Sequence, residues 1–178
     1  WDDPSVQTAN ETFLSNEFGV ELFRDGLFAP ITATYVQETT IFREFGPLAG
    51  NTVRISFTES PKLGNTLSQR SVDADARYYF RLGDTGLLAF RARGFKSWGD
   101  YPDFTFFGGN SEMRGYEYLE FIGHKAFFAN VELRFPLVTA MATPIGILGG
   151  IRGALFFNIG AAGINNQPFT PYTSEPEE

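Results

Sequence analysis

The chain has 178 residues and a formal net charge of -7, with 20 Phe and 7 Tyr against 2 Met, 19 Gly and 10 Pro. It has no Cys and a single histidine, His124, which excludes a disulfide framework and thiolate metal sites and leaves little for imidazole chemistry. The acidic balance argues against nucleic acid, and prolines and glycines break the charge-free runs 135–151 and 153–174, which excludes a membrane helix but not a membrane strand.

No signal peptide is visible, so an exported protein would carry this stretch as mature or cut sequence. Residues 1–30 read as an irregular lead-in with a short strand at 18–24. Residues 31–43 are β-branched and polar and form a strand that ends in a Gly/Pro turn at 45–50. In 51–58, Val53, Ile55 and Phe57 share one face and Arg54 and Ser56 the other. In 71–82, Val72, Ala74, Ala76, Tyr78, Phe80 and Leu82 oppose Asp73, Asp75, Arg77, Tyr79 and Arg81. After a tight turn at 83–85, Leu88, Phe90 and Ala92 oppose Arg91 and Arg93. These period-two segments are strands with one apolar and one charged face.

The strand at 71–82 is about 12 residues long, enough to cross a hydrocarbon layer at a tilt. A soluble β-sandwich also buries one face and wets the other. The charge of the wet face favours a membrane barrel: a turn at 83–85 sets Asp75 opposite Arg93 and Arg77 opposite Arg91. A polar lumen accommodates that ladder, while the aromatic-rich outer face suits lipid.

Residues 98–124 form the longest stretch that reads as neither strand nor turn. Within it, FFGGNSEMRGYEY concentrates Gly108, Gly109, Gly115 and aromatic residues including Tyr116 and Tyr118. Long ordered loops in compact domains are usually functional. Gly-Gly lets backbone pack closely, and Arg114 beside Gly115 places a guanidinium fork on a bend, where it can take a carboxylate. His124 reads as an ordinary loop residue.

Residues 125–136 alternate again, with Phe127, Val131, Leu133 and Phe135 opposite Asn130, Glu132 and Arg134. A Pro/Gly-rich connection at 136–150 precedes a strand at 151–161, whose polar face carries Arg152 and Asn158. The tail 164–178 is loop-like. The expected fold is therefore all-β: an antiparallel transmembrane β-barrel, about seven strands of it visible and the barrel incomplete. Connections alternate short and long, as in outer-membrane barrels, except at 136–150.

The Gly-Gly then Arg-Gly-aromatic loop, the strand carrying Glu132 before Pro136 and the strand GALFFNIGAAG together resemble the C-terminal barrel region of the BamA-like superfamily of outer-membrane protein insertases and translocators. The resemblance covers roughly residues 31–163 and is nearest to variants attached to a TolB-like propeller. It implies a loop folded into the lumen, its arginine held by acidic residues on the two following strands: Arg114, Glu132 and the position of Asn158. Asparagine there carries no charge, so the anchor would rest on Glu132. It further implies a bacterial outer-membrane location and a protein that assists insertion or translocation of polypeptides without bond chemistry or cofactor. The expected partners are outer-membrane lipid, the remainder of the barrel or another membrane chain, and nascent outer-membrane proteins. Two alternatives stay open: an accessory barrel that anchors a periplasmic domain, and a soluble β-domain in which Asp73, Asp75 and Glu132 supply paired carboxylates.

Overall fold

The computed structural model describes residues 26–165 except 44, 45, 84 and 145; the strand expected at 18–24 and most of the tail lie outside the described residues. The strands are β1 (Ile31–Glu38), β2 (Ile41–Arg43), β3 (Gly46–Ser60), β4 (Gln69–Leu82), β5 (Gly86–Gly99), β6 (Thr105–Phe107), β7 (Phe121–Gly123), β8 (Lys125–Thr143) and β9 (Gly146–Gly163). One seven-stranded antiparallel sheet runs β1-β3-β4-β5-β8-β9, with β2 also paired to β3, and β6 and β7 form a separate two-stranded ribbon.

The alternation read from the sequence becomes the two faces of this sheet. The register places Asp75 opposite Arg93 and Arg77 opposite Arg91, as a turn at 83–85 requires. One face is polar from edge to edge: hydroxyl pairs Thr32–Thr58 (2.9 Å) and Thr34–Ser56 (3.1 Å) cross β1 and β3, and charged residues follow on β4, β5, β8 and β9. The other face is apolar and open, with Phe80, Leu155, Phe157 and Ile159 all at least half exposed. No second sheet covers it among the described residues. A sandwich would bury that face; a membrane barrel turns it to lipid. The outer edges of β1 and β9 have no paired strand among the described residues, so the barrel is not closed.

Three expectations change. Residues 46–50 belong to β3, paired with β2 across a register shift between Ile41 and Phe42; the irregular ladder accommodates Pro47, which lacks an N–H. The stretch 136–150 is not a long connection, because β8 continues to Thr143 and β9 begins at Gly146. Pro136 sits where the β8–β9 register shifts, the kind of site that tolerates a missing donor, and all turn-end connections are then short. The third concerns 98–124, which contains the β6–β7 ribbon.

Candidate functional site

The loop between β5 and β8 lies against the polar face of the sheet. Its two ends are fixed at Ser97, which is fully buried. The Ser97 N–H donates to the His124 carbonyl at 2.7 Å, its hydroxyl accepts the Asp103 N–H at 2.7 Å, and its carbonyl accepts Nδ2 of Asn165 at 2.7 Å. His124 is 4% exposed, with its ring 4.1 Å from that of Phe104 and Nδ1 accepting the Asn165 N–H at 3.2 Å. It is therefore a packed structural residue. Burial holds its imidazole below the ordinary value, although the nearby Asp103 opposes this; burial likewise pushes the Asp103 carboxyl up.

At the tip the chain reverses at Gly108, Gly109 and Gly115, all at positive φ. A side chain at Gly108 would meet the Glu117 carbonyl, so the close packing there requires glycine. The reversal buries Met113, 2% exposed, between Phe107 (1%) of β6 and Phe128 (2%) on the inner face of β8. Gly160 on β9 makes room, since a Cβ there would lie 3.1 Å from the Met113 sulfur and 3.0 Å from Cβ of Phe128. The core of this protein thus lies between loop and wall, on the side opposite the apolar outer surface.

Polar contacts surround that apolar centre. Arg114 Nη2 donates to Glu132 Oε2 at 3.1 Å, and its guanidinium carbon stands 4.8 Å from the centre of the Phe156 ring. Glu132 also accepts from Arg134 at 3.0 Å. Asn158 engages the backbone of Arg114, not its guanidinium: Nδ2 donates to the Arg114 carbonyl at 3.4 Å. With its amide turned, Oδ1 accepts the Arg114 N–H at 3.0 Å while the nitrogen donates to the Phe157 carbonyl at 3.2 Å, which satisfies both ends. Tyr116 is half exposed and packs edge-on against Phe121, ring centres 5.0 Å apart.

Asp75 accepts from Arg91 at 2.7 Å and from Arg77 at 3.2 Å, and Asp73 accepts from Arg93 at 2.7 Å. The Arg93–Asp73 bond is diagonal, one pair along from the directly opposed Asp75, because a long arginine reaches the next rung. These wall arginines also hold the loop. Arg91 donates to the Ser111 carbonyl at 3.2 Å and lies over the Phe128 ring, and Arg93 donates to Glu112 at 3.4 Å. Glu112 accepts the Gly108 N–H at 3.1 Å, its carbonyl is bound by Asn130 Nδ2, and the Asn130 Oδ1 is buried without a partner among the described residues.

Sequence reasoning missed Glu112, Met113, Asn130 and Phe156. Asn130 and Phe156 stand on the polar faces of strands that alternation identifies; Glu112 and Met113, in an aperiodic loop, give no such signal. Asp73 and Asp75 share β4 while Glu132 lies on β8, and each of these three is tied to arginine, which holds it ionised. A family model described as the Omp85 superfamily domain matches residues 35–177. No curated protein and no solved structure matches the chain.

Proposed function

Because the chain belongs to the Omp85 superfamily, we propose that it forms part of a bacterial outer-membrane β-barrel that assists polypeptides into or across the bilayer by binding, without bond chemistry. The observation that carries this reading is the loop folded onto the polar wall, with Arg114 reaching Glu132 and Met113 seated against Phe128. A loop held inside a lumen narrows it and presents a surface there, while the open apolar face meets lipid. Unpaired strand edges cannot remain in hydrocarbon, so β1 and β9 pair with the remainder of the barrel or another membrane chain.

The test is reconstitution of the full-length protein into liposomes and measurement of how fast an unfolded outer-membrane protein becomes heat-modifiable there. Faster folding than in empty liposomes is expected, and equal rates would contradict an insertase. A second reading, an accessory barrel that anchors a periplasmic domain, is favoured by Asn158, which leaves Glu132 as the only carboxylate bonded to Arg114 among the described residues. It predicts a stable barrel with no acceleration.

A further inference from the structure

The β8–β9 hairpin outruns the rest of the sheet. Strand β5 pairs with β8 only as far as Leu87 opposite Arg134, whereas β8 runs on to Thr143 and stays paired with β9 from Gly146. The neighbouring hairpin turns back at Leu82 and Gly86, and Gly46 at the start of β3 lies near the same level, since Gly50 is opposite Tyr79. The overhang from Phe135 to Thr143 is about 30 Å long at the usual strand rise. Strand tilt in a barrel shifts the level by only about one residue per strand, so the overhang projects beyond the turn end of the wall.

Three properties set it apart. Its edge on the β5 side has no partner strand among the described residues, so this stretch cannot lie in hydrocarbon. Residues 137–151 carry no charge and so lack the lysines that keep free edges single. The charged inner row stops at Arg134 and Arg152: by register Met141, 47% exposed, continues that row, while Ile147, 82% exposed, stands on the outer face. Apolar side chains on both faces of a hairpin in water call for cover.

We propose that the overhang docks a separate polypeptide, which adds an extended apolar strand to the free edge of β8 in line with β5. Backbone groups on that edge need a backbone partner, which lipid cannot give. The β5–β8 ladder supplies the continuity. At its end a cavity of about 600 Å³, with Leu48, Leu87, Phe135, Val138 and Ile151 among its lining residues, has room for the first side chains of the incoming strand. A second copy does not fit, because copies in one membrane point β8 the same way whereas like edges related by a two-fold axis pair antiparallel. Leu27, bridged to Thr66, and Asn165, bonded to Ser97, both lie at the loop end, so the chain enters and leaves the sheet at the far end from the overhang. The inference rests on the barrel and not on insertase activity.

The test uses the full-length protein in nanodiscs and a monomeric, lysine-capped fluorescent peptide of alternating valine and leucine, followed by anisotropy. The peptide should bind, and N-methylation throughout, which keeps its side chains but removes its backbone donors, should weaken binding at least tenfold. Leu137→Lys with Met141→Lys should weaken the unmethylated peptide by a similar factor while the barrel stays heat-modifiable. No binding, equal binding of both peptides, or binding unchanged by the double variant overturns the proposal. If the variant does not fold, hydrogen exchange in the wild type decides: saturating peptide should slow exchange within 137–143 severalfold, and unchanged exchange there overturns the site. A dye on Met141→Cys should escape quenching by brominated acyl chains; quenching would place the overhang in lipid and sink the proposal. Peptide binding by a protein that does not accelerate outer-membrane protein folding supports this site and removes only the insertase reading.

Discussion

Arg114 donates to Glu132 across 3.1 Å from a loop to the barrel wall, with the Phe156 ring 4.8 Å from its guanidinium carbon. One charge-assisted bond and one ring contact join the tip of the loop to β8 and β9. Partial exposure of both partners puts the worth of this junction at about 1–2 kcal/mol. Arg114→Ala should therefore raise protease cleavage within 108–118 by roughly fivefold to thirtyfold in membranes. Arg114→Lys, which keeps charge but loses the fork, should fall between; unchanged cleavage in both variants would show that the contact does not hold the loop.

The apolar seat makes a second demand. Gly160→Val introduces methyl groups where a Cβ alone already meets the Met113 sulfur at 3.1 Å. Overpacking of this kind costs about 1–3 kcal/mol, so the loop should detach while β9 stays paired. Increased cleavage near Met113 with an unshifted heat-modifiable band is the expected result.

Strand faces were legible because alternation records a half-wet sheet: Asp73, Asp75 and Arg77 announce a polar side whatever lies beyond them. The Arg114–Glu132 contact followed from resemblance, not from pattern. Three things were hidden for physical reasons. Pro136 reads as a breaker, yet a register shift absorbs it inside β8. Met113 lies in an aperiodic, glycine-rich run, so nothing local marks it as the centre of the core. Diagonal pairing of Arg93 with Asp73 depends on arginine reach, which register alone does not specify.

Asp75 is shared by two arginines, one of which also holds the Ser111 carbonyl. Asp75→Asn should lower barrel stability by about 1–3 kcal/mol, more than Asp73→Asn, whose side chain is twice as exposed. Urea midpoints of the two variants in micelles check the order.

His124 predicts a pH response. Its folded-state value lies below the ordinary 6.5, so the unfolded loop binds the proton more readily and loop stability falls as pH drops below about 6.5. Asp103, raised above 3.8 by burial, acts with the opposite sign and at more acidic pH. Protection against hydrogen exchange at 121–125, with rates corrected for the intrinsic pH dependence of amide exchange, should fall from pH 7.5 to 5.5, and His124→Gln should flatten that dependence.

The central claim is that the loop rests inside a membrane barrel, against the wall. Arg114→Cys with Glu132→Cys places two thiols in a stretch that has no cysteine of its own. A short bismaleimide applied to intact outer membranes should link them within a heat-modifiable barrel. A heat-modifiable barrel in which both thiols react singly and never link would contradict the inward loop, and a soluble, unshifted protein would contradict the barrel itself.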